Sequence, residues 1–96
     1  MSTVTRLFSP PLQGNGDFVL HANAGTQFVN RDSGVWATIC ELSQPVGEPL
    51  DFPFIGAARM SVHNLAPRDD GIIDMWIQIE WDSPLNYRVQ VLVSND

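Results

Sequence analysis

The chain has 96 residues, of which 44% are apolar, enough for one small folded domain and too many for a disordered chain. Five arginines, no lysine and eleven acids give a formal charge of −6, which repels phosphate backbones and excludes nucleic acid as the expected partner. Cys40 stands alone, so there is no intrachain disulfide, and no apolar run approaches the ~20 residues of a membrane span. Residues 1–12 lack the charged-then-apolar order of a signal peptide, and the expected compartment is a reducing cytoplasm.

Residues 1–16 read as an extended arm, because Pro10 and Pro11 favour extended backbone. Phe8 and Leu12 on that arm need a surface to pack on. Turn chemistry then recurs at Gly14-Asn15-Gly16-Asp17, Asn23-Ala24-Gly25, Arg31-Asp32-Ser33-Gly34, Pro67–Gly71 and Asp82–Asn86. The Val-, Ile-, Phe- and Trp-rich segments between predict strands at 17–22, 26–30, 35–42, 57–65, 72–81 and 87–94. No segment has helical periodicity with a cap. The expected fold is therefore an all-β antiparallel sandwich or partly open barrel of about six strands, with a carboxy-terminal three-stranded meander. Strand 35–42 is apolar on both faces, so it is either central or covered on its second side by another subunit. Residues 43–56 break the spacing with Pro45, Pro49 and Pro53. They read as a proline-rich loop covering the core, or as a proline-broken edge strand.

The last two strands alternate cleanly. Ile73, Met75, Ile77, Ile79 and Trp81 share one face of the first, and Tyr87, Val89, Val91 and Val93 one face of the second. A five-residue loop at 82–86 would set Glu80 opposite Arg88, Gln78 opposite Gln90 and Trp76 opposite Leu92. Across the 66–71 turn, His63 would meet Asp74, Val62 would meet Met75 and Arg59 would lie beside Gln78.

That register collects Trp76, Leu92, Arg59, Gln78, Gln90, His63 and Asp74 on one outer face, the candidate ligand or interface residues. Ser61, His63 and Asp74 there have the residue types of a hydrolytic triad. A flat sheet offers no oxyanion hole, however, and no Gly-x-Ser-x-Gly elbow exists, so a surface His–Asp pair is the expected role and no catalytic residue is assigned. His21, His63 and Cys40 have no metal-ligand spacing, and Asp69-Asp70 lacks the alternating oxygens of a calcium loop; no metal or cofactor is expected. Trp76 with Leu92 on a polar face points to a homo-oligomer interface or to an aromatic platform for a small ligand such as a sugar. The reading is a self-associating binding or adaptor module rather than an enzyme, with no membrane role. The alternatives are a small-ligand binder, or a small enzyme with a pocket under 43–56.

Overall fold

The computed structural model describes residues 4–43 and 52–95. Among them are eight strands and two antiparallel sheets: β1 (Val4–Phe8), β2 (Leu12–Gly14), β3 (Gly16–Asn23), β4 (Gly34–Ser43), β5 (Phe52–Phe54), β6 (Arg59–Pro67), β7 (Ile72–Glu80) and β8 (Leu85–Ser94). A five-stranded half-barrel sheet runs β1-β8-β4-β5, with β2 following β1 along the same edge of β8. A three-stranded sheet runs β3-β7-β6. The all-β antiparallel class is as expected.

The expected meander is not. β6 and β7 do pair, but β8 belongs to the other sheet, so Glu80 and Arg88 are not neighbours. The reason lies at one corner. β2 ends at Gly14↔Leu85 and β3 begins at Gly16↔Ile79, so the lone Asn15 stands against residues 80–84. A two-stranded ribbon bends there from one sheet into the other, as strands do when they switch layers. Asn15 Nδ2 donates to the Trp81 carbonyl at 3.3 Å across the bend, and Gly16 takes a φ of 75°, open to glycine at no steric cost. Both segments carry residues that suit reversals, but here they turn a corner.

The faces survive this change of partner. Ile73, Met75, Ile77 and Ile79 are buried on β7, and Tyr87, Val89, Val91 and Val93 on β8. They belong to one cluster, but they face each other across the two sheets instead of lying side by side. Trp81, expected with them, sits at the corner and is exposed. β6 pairs with β7 two residues from the expected register, Val62↔Ile77 and Arg59↔Glu80, and a bulge at His63 adds one more, giving Leu65↔Met75. The shift by two keeps the residues from Arg59 to Val62 on their own faces, and the extra residue at the bulge turns Leu65 inward to pack against the core.

Three other expectations change. Residues 26–30 are a turn, not a strand: the Gly25 carbonyl accepts from Phe28 and Val29 N–H, and Gly25 has a φ of 91°. Val29 is nonetheless buried in the core. The arm at 1–16 is extended but paired along β8, as β1 and β2. Between those strands Ser9-Pro10-Pro11 stands opposite Arg88 and Val89, and the Ser9 hydroxyl accepts the Val89 N–H at 2.9 Å, replacing the ladder bond the extra residue breaks. Most of the covering loop lies outside the described residues. Its described end, β5, is the edge strand of the alternative reading, with Pro53 opposite Leu42. At the far end of the molecule, Gly71 (φ 82°) accepts from the N–H groups of Ala24 and Gly25, and a Cβ there would lie 2.4 Å from the Gly25 carbonyl carbon.

Ile77 is fully buried between the sheets, so Ile77→Ala is expected to cost about 2–5 kcal/mol through the cavity it leaves. Chemical denaturation measures this, and a midpoint near that of the wild type would place the core elsewhere. Gly71→Ala meets backbone rather than a movable side chain, so it is expected to lower the midpoint more than Gly16→Ala, whose Cβ would meet nothing within 4 Å.

Candidate functional site

The corner splits the expected site between two surfaces on opposite sides of the molecule. Trp76, Arg59, Gln78, His63 and Asp74 stand on the outer face of the three-stranded sheet. Leu92 and Gln90 stand on the outer face of the five-stranded sheet, where Leu92 has Trp36 on one side and Arg6 on the other.

On the three-stranded sheet, Trp76 is 47% exposed and its β3 neighbour Val19 is 53% exposed. The bulge at His63 turns two consecutive residues, His63 and Asn64, toward solvent beside Trp76. The His63 ring tilts over the indole with centroids 5.0 Å apart. His63 Nε2 lies 2.9 Å from both Ser61 Oγ and Gln78 Oε1. The triad types therefore separate: Ser61 touches His63, but Asp74 does not orient it. Asp74 instead faces His21 across β3–β7, Oδ1 to Nδ1 at 2.5 Å, and lies 3.5 Å from an Arg68 guanidinium nitrogen. The expected His–Asp surface pair exists with His21 in place of His63, because the β6 register moved His63 away. The His21 hydrogen bond, with help from the Arg68 charge, holds the Asp74 carboxyl below its ordinary value of 3.8 against a smaller opposing effect of desolvation. An exposed Ser–His contact without an orienting carboxylate is not an activated nucleophile. Among the described residues no cluster of His, Cys, Asp or Glu has the makings of a metal site.

The five-stranded sheet presents residues that the sequence reading left out of the site. Trp36 is 59% exposed, and Val4, Phe8 and Leu92 are exposed with it. Arg6 stacks over the Phe8 ring at 4.5 Å and donates to Gln90 Oε1 at 2.9 Å, while Arg88 reaches the same ring at 5.9 Å. The Arg88 Nε is buried without an acceptor among the described residues. A shallow groove of about 260 Å³ is lined by Arg6, Trp36, Thr38, Gln90 and Leu92. The two-faced apolar character of strand 35–42 did signal Trp36. Nothing in the sequence pattern singled out Arg6, because its place opposite Leu92 depends on pairing β1 with β8.

Charge separates the two faces. Strand alternation places Arg6 and Arg88 on the outer face of the five-stranded sheet and no acidic residue of those described. Asp17, Asp74 and Glu80 stand on the outer face of the three-stranded sheet, with Arg59 their only arginine on a strand. Compared with known proteins, the chain matches no family model, no curated protein and no solved structure.

A group whose folded pKa is depressed stabilises the fold above its unfolded pKa and loses that contribution as pH falls through the folded value. Asp74→Asn is therefore expected to be less stable than wild type at neutral pH, with the difference closing as pH falls below the ordinary aspartate range. Urea titrations across acid pH check this; a difference that widens on acidification contradicts the His21–Asp74–Arg68 assignment.

Proposed function

We propose that the protein is a self-associating binding module that assembles head to tail, the outer face of the five-stranded sheet in one copy meeting the outer face of the three-stranded sheet in the next. One observation carries the reading: both outer faces expose a tryptophan, and their charges are opposite. Aromatic anchors ringed by Arg, Gln and acidic groups are the usual make-up of an interface centre and rim. Opposite charge also favours this arrangement over a two-fold one. Two copies of the five-stranded face would set Arg6 and Arg88 against each other, whereas the Asp17 and Glu80 side complements them. A head-to-tail contact also reunites Trp76, Arg59, Gln78, His63 and Asp74 with Leu92 and Gln90, now between copies.

The magnitudes are adequate but not generous. Burying two tryptophans and their apolar neighbours removes a few hundred Å² from water, roughly several kcal/mol at ~25 cal/mol per Å². Association costs of at least about 4 kcal/mol oppose that gain, so complementary charge and the Phe8 and Val4 contacts must supply the balance. Head-to-tail contacts build closed rings when the rotation closes and open chains when it does not.

Sedimentation equilibrium tests this with two variants. Wild type is expected to associate, less so at high salt. Trp36→Ser and Trp76→Ser each spoil one of the two contacting faces, so each alone is expected to be monomeric. Mixed, they are expected to form a one-to-one dimer through the intact Trp36 face of one variant and the intact Trp76 face of the other. A wild type that stays monomeric rejects self-association and leaves the Trp36 groove as a platform for a small polar ligand. A Trp76→Ser protein that still dimerises rejects the head-to-tail arrangement in favour of a two-fold contact.

A further inference from the structure

The two sheets are joined through the corner at Asn15 and lie against each other along β4 and β6. On the opposite side, β1 ends one sheet and β3 ends the other, and no ladder joins them. A cavity of about 310 Å³ opens between these edges and reaches into the core, walled by Leu7, Leu20, Ala22, Ala24, Met75 and Val91. Its position follows from the sequence. The inner face of β3 narrows from Phe18 and Leu20 to Ala22, followed just past the strand by Ala24, so the side chains that fill the gap near the corner are missing at the far end.

We propose that this cavity is a binding site for one small uncharged apolar molecule, an alkyl chain or an aromatic ring system with at most one hydroxyl. The volume lies at the lower end of small-molecule sites and about twice that of a cavity that takes up benzene. Most wall side chains are hydrocarbon or thioether, with Ser9, His21 and Asn23 the polar residues of the lining, and Met75 adapts to irregular shapes. Charge excludes the alternatives. The ionisable group at the mouth is His21, whose Nδ1 is engaged by Asp74. Both side chains stand on the outer face of the three-stranded sheet by strand alternation, so no charged side chain of the lining is turned inward to hold an organic acid or an amine. An inserted peptide strand is disfavoured as well: Pro10 stands at the rim and lacks the N–H that would extend the β1 ladder.

The probe is N-phenyl-1-naphthylamine, an uncharged dye that brightens in apolar surroundings. Wild type is expected to bind it saturably at one site per chain, with 1-decanol displacing it. Ala22→Phe fills the cavity and is expected to weaken binding by at least about tenfold, a loss of one decade in affinity. Ile55→Ser, a change at a fully exposed side chain outside the cavity lining, is expected to bind as wild type does. Where Ala22→Phe does not fold by circular dichroism, methyl NMR of wild type decides: 1-decanol is expected to shift Leu20, Met75 and Val91 while leaving Leu92 unmoved. Absence of saturable binding, undiminished binding to folded Ala22→Phe, loss of binding in Ile55→Ser, or methyl shifts confined to the outer surface each overturn the proposal.

Discussion

Everything in this molecule depends on one bend. At Asn15 and residues 80–84 an antiparallel ribbon of β2–β3 against β8–β7 leaves one sheet and enters the other. One residue on the inside of the bend faces five on the outside, a mismatch no continuous ladder accommodates. The consequence is that β7 and β8, whose hydrocarbon faces would otherwise share a single sheet surface, close on each other. For a chain of 96 residues this is an efficient burial. Each strand supplies one row of branched apolar side chains, and the two rows meet across the gap, with Tyr87 and Phe18 capping them near the corner at a centroid distance of 6.0 Å. Burial there pushes the Tyr87 phenol up.

The same bend decides what the surface offers. With β7 and β8 in different sheets, their outward residues point in opposite directions, so Trp76 and Leu92 cannot form one patch. Each acquires a different neighbourhood instead: Trp76 gains Val19 and His63, and Leu92 gains Trp36 and Arg6. Two exposed aromatic surfaces of unlike charge thus stand on opposite sides of the molecule. The unjoined β1 and β3 edges are a third consequence, since a ribbon folded at one corner leaves the opposite side free to gape.

Much of this was legible in the sequence, and the rest fails for a definite reason. Alternation fixes which face of a strand is buried, so Ile77, Ile79, Val89 and Val91 were identified as core without knowing their partners. Pairing is a separate matter. The match of Glu80 with Arg88 and of Gln78 with Gln90 in a five-residue hairpin was chemically sensible, yet residues that suit a tight reversal suit a corner equally well. The first strand escaped notice because Pro10 and Pro11 mask it, and its identity rests on a long-range match with β8 that no local pattern displays. Residues 26–30 show the opposite error: Phe28 and Val29 favour strands, but Gly25 at positive φ folds them into a turn that still delivers Val29 to the core. For the site, residue types were recognised and their company was not. Asp74 was expected to pair with a histidine and does, but the β3–β7 register supplies His21.

Backbone NOE connectivities test the bend most directly, because they report strand neighbours irrespective of side-chain packing. With the ribbon folded as described, β8 shows interstrand contacts to β4 at Val91–Ala37 and Val89–Ile39, and β7 shows them to β3 at Ile77–Phe18 and Met75–Leu20. A ladder of backbone contacts between β7 and β8, with Ile79 beside Val89, would contradict it. That result would return Trp76 and Leu92 to one surface and remove the basis for two opposed faces.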